Sequence, residues 1–271
     1  MPLIEQSTYN PPWYLRNPHL QTVLPQMVRK VRDVQYTRER IETPDNDFLD
    51  IDWSKAGSAR CVILFHGLEG HTQRSYMLGM VRALNCEGWD VAAVNMRGCS
   101  GEPNRLLKSY HHGSSDDCAV VVDHVAGMPY RDIALVGFSL GGNILLKYLG
   151  ESTWNRPETL RTGVAISAPI DLPSCAAKML LPQSRFYTRR FIRMLLAKLA
   201  AKRVLMPDAI NLDGVESIAT FEQFDNRFTA PIHGFANADD YYARAAALPF
   251  IPSIRHPVLV VNACDDPFLT P

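Results

Sequence analysis

The sequence predicts an α/β protein, a mostly parallel sheet with helices on both faces and a helical segment inserted before the last strand. Three observations predict it. Short continuous apolar runs suit strands buried on both faces, helical-period segments lie between them, and a long proline-punctuated stretch after residue 170 breaks the alternation. Residues 47–53 alternate Leu49, Ile51 and Trp53 with Asp50 and Asp52, as a half-buried strand does, and Val34 to Ile41 can pair with it. Cys61 to Phe65 is the first fully buried strand, ending in a turn at His66-Gly67. Thr72 is placed to cap a helix burying Met77, Met80, Val81 and Leu84, which Gly88 stops before a strand at Val91 to Val94. Ser115 precedes a helix carrying Cys118, Val121, Val122 and Val125. A strand follows at 132–136, then a helix over 140–150 closed by Gly150, and a strand at 163–167. Such β-α-β alternation implies right-handed parallel crossovers.

From Asp171 the segment reads as helical, interrupted by prolines at 173, 182, 207, 231, 249 and 252. It is too long for an ordinary connection, so it is expected to fold as a cap. The alternation resumes once, at Pro257 to Asn262. The expected organisation is therefore 1–170 as the first part of the core, 171–255 as the cap, and 256–271 as the last core strand with its loop.

With 271 residues, 46% of them hydrophobic, the chain can bury a sizeable core. Lys+Arg and Asp+Glu both total 28, so no global field gathers polyanions, and nucleic acid is not expected as a partner. No apolar run approaches the ~20 residues that span a bilayer. The first ten residues lack the pattern of a signal peptide, so a cytoplasmic location is expected. Six cysteines (61, 86, 99, 118, 175, 264) form no Cys-x-x-Cys pair and read as small buried hydrophobes in a reducing compartment.

The chemistry centres on Gly137-Phe138-Ser139-Leu140-Gly141, lying between a predicted strand and a predicted helix. That context is what a nucleophile elbow requires: a sharp turn exposes the Ser139 hydroxyl, and glycines leave room where side chains would collide. The Leu140 amide, at the start of the next helix, points where an oxyanion would form. A phosphate cradle is disfavoured, because no Gly-Lys-Ser/Thr follows and Lys147 lies a helix away. His66-Gly67-Leu68-Glu69-Gly70 follows the first buried strand, where the other half of an oxyanion hole belongs, and the Leu68 amide is the second candidate donor. His66 itself reads as a structural histidine at a strand end. Asp265-Asp266-Pro267 follows the last strand, where a carboxylate can orient a histidine base. Asp266 is the first choice and Asp265 the alternate; Asp171 reads as the cap of the insertion's first helix.

The order in such sites runs serine, acid, histidine, yet all eight histidines (19, 66, 71, 111, 112, 124, 233, 256) precede Asp266. The expectation is a shortened chain, with the base and the elements covering that side of the sheet lying beyond Pro271. His112 and His233, in loop-like segments, are the alternatives as base.

Together, Trp13-Tyr-Leu-Arg-Asn-Pro-His-Leu-Gln-Thr22, His66 to Gly70, Asn95-Met-Arg-Gly-Cys-Ser-Gly-Glu102, Gly137 to Asn143, Phe228-Thr-Ala-Pro-Ile-His-Gly-Phe235 and Asn262 to Pro267 resemble the YheT-like branch of the α/β-hydrolases. These are bacterial esterases related to eukaryotic abhydrolase-domain lipases and yeast ethanol acyltransferases. The resemblance implies an α/β-hydrolase fold and a serine carboxylesterase acting on short or medium acyl esters, with Ser139 as nucleophile and Asp266 as acid. It places the histidine in a Gly-His segment after the acid. Acyl transfer to an alcohol, or a catalytically silent shortened relative, are the alternatives. Such chemistry needs no metal or organic cofactor.

Residues 185–203 carry Arg185, Arg189, Arg190, Arg193, Lys198, Lys202 and Arg203 with no acid, beside Phe191, Ile192, Leu195, Leu196 and Leu199. Either this is a solvated cap helix packing its apolar face over the site, or a basic amphipathic helix that rests on an anionic lipid surface.

Overall fold

The computed structural model describes residues 9–270. The reading of residues 1–10 as something other than a signal peptide therefore falls almost wholly outside the described residues. Helix α1 (Pro18–Val28), capped by the Asn17 side chain, precedes the core. A seven-stranded sheet has the order β1-β2-β4-β3-β5-β6-β7. Its strands are β1 (Thr37–Glu42), β2 (Phe48–Ser54), β3 (Arg60–Phe65), β4 (Asp90–Asn95), β5 (Asp132–Phe138), β6 (Leu160–Ile166) and β7 (Val258–Val261). The β1-β2 and β2-β4 pairs are antiparallel, and the other four are parallel.

Alternation within the strands decides the layers. Val62, Leu64, Val91, Ala93, Ala134 and Val136 pack with Met77 and Val81 of α2 (Ser75–Cys86) on one face. Ile63, Ala92, Ile133 and Leu135 pack on the other with α3 (Ser115–Ala126) and α4 (Leu140–Gly150), whose eleven residues are all buried. Between β6 and β7 the described chain holds helices only. These are α5 (Leu172–Met179), α6 (Arg185–Leu205), α7 (Phe221–Phe224), α8 (Ala230–His233) and α9 (Ala238–Ala245), with short 3-10 turns and a π-turn at Asp225–Thr229.

Several local expectations need correction. Thr72 does not cap α2: Arg74 holds that position without a side-chain bond, and buried Thr72 donates its hydroxyl to Asp52 at 2.5 Å. Strand β2 is buried along its whole length, because Arg38 and Arg40 of β1 cover Asp52 and Asp50 with paired hydrogen bonds of 2.7–2.9 Å. Gly150 ends α4 as expected and lies against the last part of the insertion, where an added Cβ would come within 2.2 Å of the Phe250 carbonyl oxygen. That 3-10 segment, Leu248–Ser253, packs on α4. Among the cysteines, 61 and 118 are buried, whereas Cys86 and Cys264 are exposed.

Asp225, in the π-turn, accepts hydrogen bonds from Thr229 Oγ1 (2.6 Å) and Tyr242 Oη (2.8 Å), with no cation at ion-pair distance among the described residues. Burial pushes its carboxyl up to about 6, from an ordinary value of 3.8. A raised acid favours the folded state fully below pH ~4, and that contribution is lost as pH rises through about 6. The stability of Asp225→Asn relative to wild type should therefore improve by on the order of 2–3 kcal/mol between pH 4 and pH 7.5. Urea unfolding at both pH values reads this difference, and a constant offset would show that folding leaves the proton affinity of the carboxyl unchanged.

Candidate active site

Ser139 joins β5 to α4 with φ +51° and ψ −118°, a left-handed backbone that costs a non-glycine residue roughly 1–3 kcal/mol. Its neighbours explain how it is held. A Cβ on Gly137 would sit 2.4 Å from the Gly141 oxygen, and one on Gly141 would sit 2.7 Å from the His66 oxygen. Strand and helix thus approach closely enough to force the turn. The Ser139 amide donates to Ile166 O (2.8 Å), and its carbonyl accepts from Asn143 N (3.0 Å). Its half-buried hydroxyl has no hydrogen-bond partner among the described residues.

The loop after β3 abuts this turn, since Phe65 pairs with Gly137 and a Cβ on Gly67 would lie 3.2 Å from Ser139 Cβ. His66 is fully buried, its Nδ1 donating to Gly67 O (2.7 Å) and its Nε2 accepting from Met96 N (3.2 Å). Burial pushes this imidazole down to about 3, against the Gly67 carbonyl, so it stays neutral and holds the loop. Gly67 N donates to Tyr76 Oη (3.0 Å), and Glu69 N to Tyr110 Oη (2.7 Å). The amide between them, Leu68, and that of Leu140 have no protein acceptor among the described residues. Both amides lie beside the serine in the chain or across the turn, Leu140 directly after it and Leu68 directly after Gly67, which abuts it.

Asp266 lies in the loop after β7, on the same sheet edge as Ser139, and β7 itself runs two strands, about 10 Å by strand spacing, from β5. It is half-buried and accepts from Phe268 N (2.8 Å), whereas Asp265 is exposed. Asp171 caps α5 by accepting from Ser174 N.

No histidine is hydrogen-bonded to Ser139 or Asp266 among the described residues. His112 Nδ1 is 2.8 Å from Tyr241 Oη, and His233 bonds Thr229 O (2.8 Å) and the Ser109 backbone (3.2 Å). Both alternatives as base are thus hydrogen-bonded to groups other than Ser139 and Asp266. Their burial lowers both, His112 to about 4.

Helix α6 crosses this sheet edge. Near its start, Tyr187 and Phe191 meet Phe268 of the acid loop, with ring centroids 4.8 and 6.2 Å apart. Farther along, Lys198 reaches Glu69, and Lys202 bonds Asn104 Oδ1 (2.6 Å) and Leu106 O (2.5 Å) beyond β4. Fifteen residues from 187 to 202 rise ~22 Å, close to the ~19 Å covered by four strand spacings. Lys202 is buried and Lys198 mostly so, while Arg185, Arg189, Arg190, Arg193 and Arg203 are exposed. Sequence reasoning missed Tyr76, Tyr110, Lys198 and Asn143. Asn143 joins α4 to His112 O (2.8 Å), Ala245 O (2.9 Å) and Ala247 N (2.9 Å). Only the spacing of Lys198 and Lys202, one turn apart on one face, hinted at a shared role.

Among the described residues, no cluster of His, Cys, Asp and Glu is arranged to hold a metal, and no helix is long and apolar enough to cross a membrane. A strained serine turn between β5 and α4, in a sheet of this order, defines the class as hydrolases built on an α/β sheet. Residues 60–271 match the family model described as "alpha/beta hydrolase fold", and the chain belongs to that family. It is 38% identical to "Putative esterase YheT" of Escherichia coli (strain K12), over 93% of this chain and 76% of that protein. It is 28% identical to "Phospholipase ABHD3" of Homo sapiens, over 96% of this chain and 66% of that one. "Monoacylglycerol lipase" of Saccharomyces cerevisiae is 30% identical over 84% of this chain and 51% of that protein. Among solved structures, alpha/beta hydrolase domain-containing protein 10 from mouse shares the fold, with TM-score 0.52 and 15% identity over 84% of this chain and 78% of that one. By homology this is an esterase- or lipase-type hydrolase.

Proposed function

We propose that this chain is a serine-dependent carboxylic ester hydrolase for short or medium acyl chains, working through an acyl-enzyme at Ser139. One observation carries the reading: a serine in a strained turn, its hydroxyl free, flanked by the unpartnered Leu68 and Leu140 amides. Ser139 Oγ attacks the ester carbonyl as a base takes its proton. The Leu68 and Leu140 N–H groups hold the oxyanion, each such donor contributing about 3 kcal/mol. Collapse expels the alcohol, which recovers the proton, and water then attacks the acyl-enzyme. Asp266 is the acid that orients a histidine base in this scheme, and no histidine among the described residues is hydrogen-bonded to it. Hydrolysis of p-nitrophenyl butyrate with imidazole supplied, beside the Ser139→Ala variant, tests the assignment. Imidazole acceleration above the no-enzyme rate and confined to the serine form supports it, and equal excess acceleration of both removes the serine from the mechanism.

Transfer of the acyl group to an alcohol instead of water is the neighbouring reading, supported by the resemblance to yeast acyltransferases. Ester formation with added ethanol above the no-enzyme rate favours it.

The exposed face of α6 suits a substrate held in lipid. Five exposed arginines and no acid line it, with Leu180, Leu181 and Phe186 exposed at one end and Val204 and Leu205 at the other. We infer that it rests on an anionic lipid surface, where apolar ends insert and arginines meet headgroups. The protein is then expected to sediment with phosphatidylglycerol vesicles and less with phosphatidylcholine, and replacement of Arg189, Arg190 and Arg193 by glutamine should lessen the preference. Equal recovery with both vesicles would sink the inference.

A further inference from the structure

Glu69 directly follows the Leu68 donor and, like Ser139, has a left-handed backbone, with φ +53°. Such a conformation in a glutamate persists only where its surroundings hold it. Its carboxylate side chain is 7% exposed, and Oε1 accepts from both Tyr110 Oη (2.7 Å) and Lys198 Nζ (2.7 Å). Tyr110 Oη also accepts the Glu69 amide, so backbone and side chain of one residue converge on one phenol. The ammonium is held in turn by Cys99 Sγ (3.1 Å) and lies 4.6 Å from the Tyr110 ring centroid. Burial acts to lower Lys198, but Cys99 and Glu69 beside it leave its affinity for a proton above the ordinary value, so it remains a cation. Glu69 belongs to the loop after β3, and Lys198 belongs to the cap helix α6. Arg74 is the other cation near, donating to the Glu69 carbonyl at 3.2 Å.

We propose that Lys198 and Glu69 form a latch through which the cap helix sets the geometry of the Leu68 amide, so that movement of α6 away from the sheet edge releases the oxyanion loop. Lys198 is on this account a positioning residue, not a catalytic one. Lys202, one turn on, anchors the same helix to the loop after β4 and keeps Lys198 in register. The catalytic consequence rests on the serine hydrolase reading; the mechanical one does not.

Hydrogen exchange followed by mass spectrometry tests the latch without requiring turnover. In Lys198→Met, the peptide covering residues 66–74 should exchange about tenfold faster, because the Glu69 carboxylate loses its tie to α6 and the loop that sets the Glu69 amide on Tyr110 Oη and the Gly70 amide on Gly67 O opens more readily, while β5 and α4 keep wild-type rates. Lys198→Arg should restore most of the protection. Glu69→Gln, which keeps shape and removes charge, should accelerate the same peptide. Wild-type exchange over 66–74 in Lys198→Met and Glu69→Gln overturns the latch, as does acceleration spread evenly over the whole chain. In turnover, the imidazole-supported rate at saturating ester should fall about tenfold in Lys198→Met with KM within twofold, the pattern of a misplaced transition-state donor. A raised KM at unchanged rate would make α6 a wall of the binding site and overturn the coupling. A wild-type chain with no Ser139-dependent rate removes the hydrolase reading alone, and the exchange result still decides the latch.

Discussion

Ser139→Ala is expected to change the basal hydrolysis of p-nitrophenyl butyrate only a few-fold, and to abolish an imidazole-supported rate that runs ~100-fold above it. The two halves of this result have one cause. Nucleophile and base act as a unit, so losing either alone removes nearly all that the pair supplies. With no histidine ring at Ser139 among the described residues, the hydroxyl remains protonated and the flanking amides stabilise attack by water almost as well in the variant. Imidazole restores a base worth on the order of 10²–10⁴ in rate. Only a chain with a nucleophile at 139 can use it. A large basal loss in Ser139→Ala without imidazole would mean that another group already activates the serine.

Arg97→Met is expected to destabilise the fold by about 3–5 kcal/mol, read as a shift of the urea midpoint. The guanidinium, 2% exposed, bonds Asp45 (2.8 Å), Asp47 (3.1 Å) and Asp117 (2.6 Å). The cost comes less from the bonds removed than from the anions left behind, since Asp47 is fully buried and Asp117 nearly so. Asp47 keeps some support from Asn104 and from the amides of Phe48 and Arg105, so the lower half of that range applies if those bonds tighten. Adding Asp117→Asn to the variant should recover part of the loss. A cost below about 1 kcal/mol would show that the arginine is dispensable as counter-ion.

What was legible in the sequence follows from how local each cause is. The elbow was readable because glycines 137 and 141, a strand before them and a helix after them all act within a dozen residues. Strands β3 and β5 were readable because burial on both faces leaves a continuous apolar run. Thr72 was misread because a hydroxyl ahead of a helix looks the same whether it caps that helix or bonds an aspartate twenty residues earlier. Asp50 and Asp52 suggested a solvated face, since nothing in β2 announces that arginines of β1 will lie over them. Lys198 and Lys202 were grouped with exposed arginines, because helical period separates polar from apolar faces but cannot tell a charge meeting water from one meeting a buried carboxylate. The partners of the histidines were hidden for the same reason: Tyr241 for His112 and Ser109 for His233 are fixed only when the insertion folds back.

Along a lineage, the left-handed turn at Ser139 works as a ratchet against idle retention. Glycine adopts φ +51° with no Cβ penalty, so a lineage that ceased to use the hydroxyl would gain stability by drifting to glycine there. On the serine hydrolase reading, the use of that hydroxyl is what outweighs the strain. The same comparison, made at Glu69, separates loops held for chemistry from loops that merely tolerate their shape.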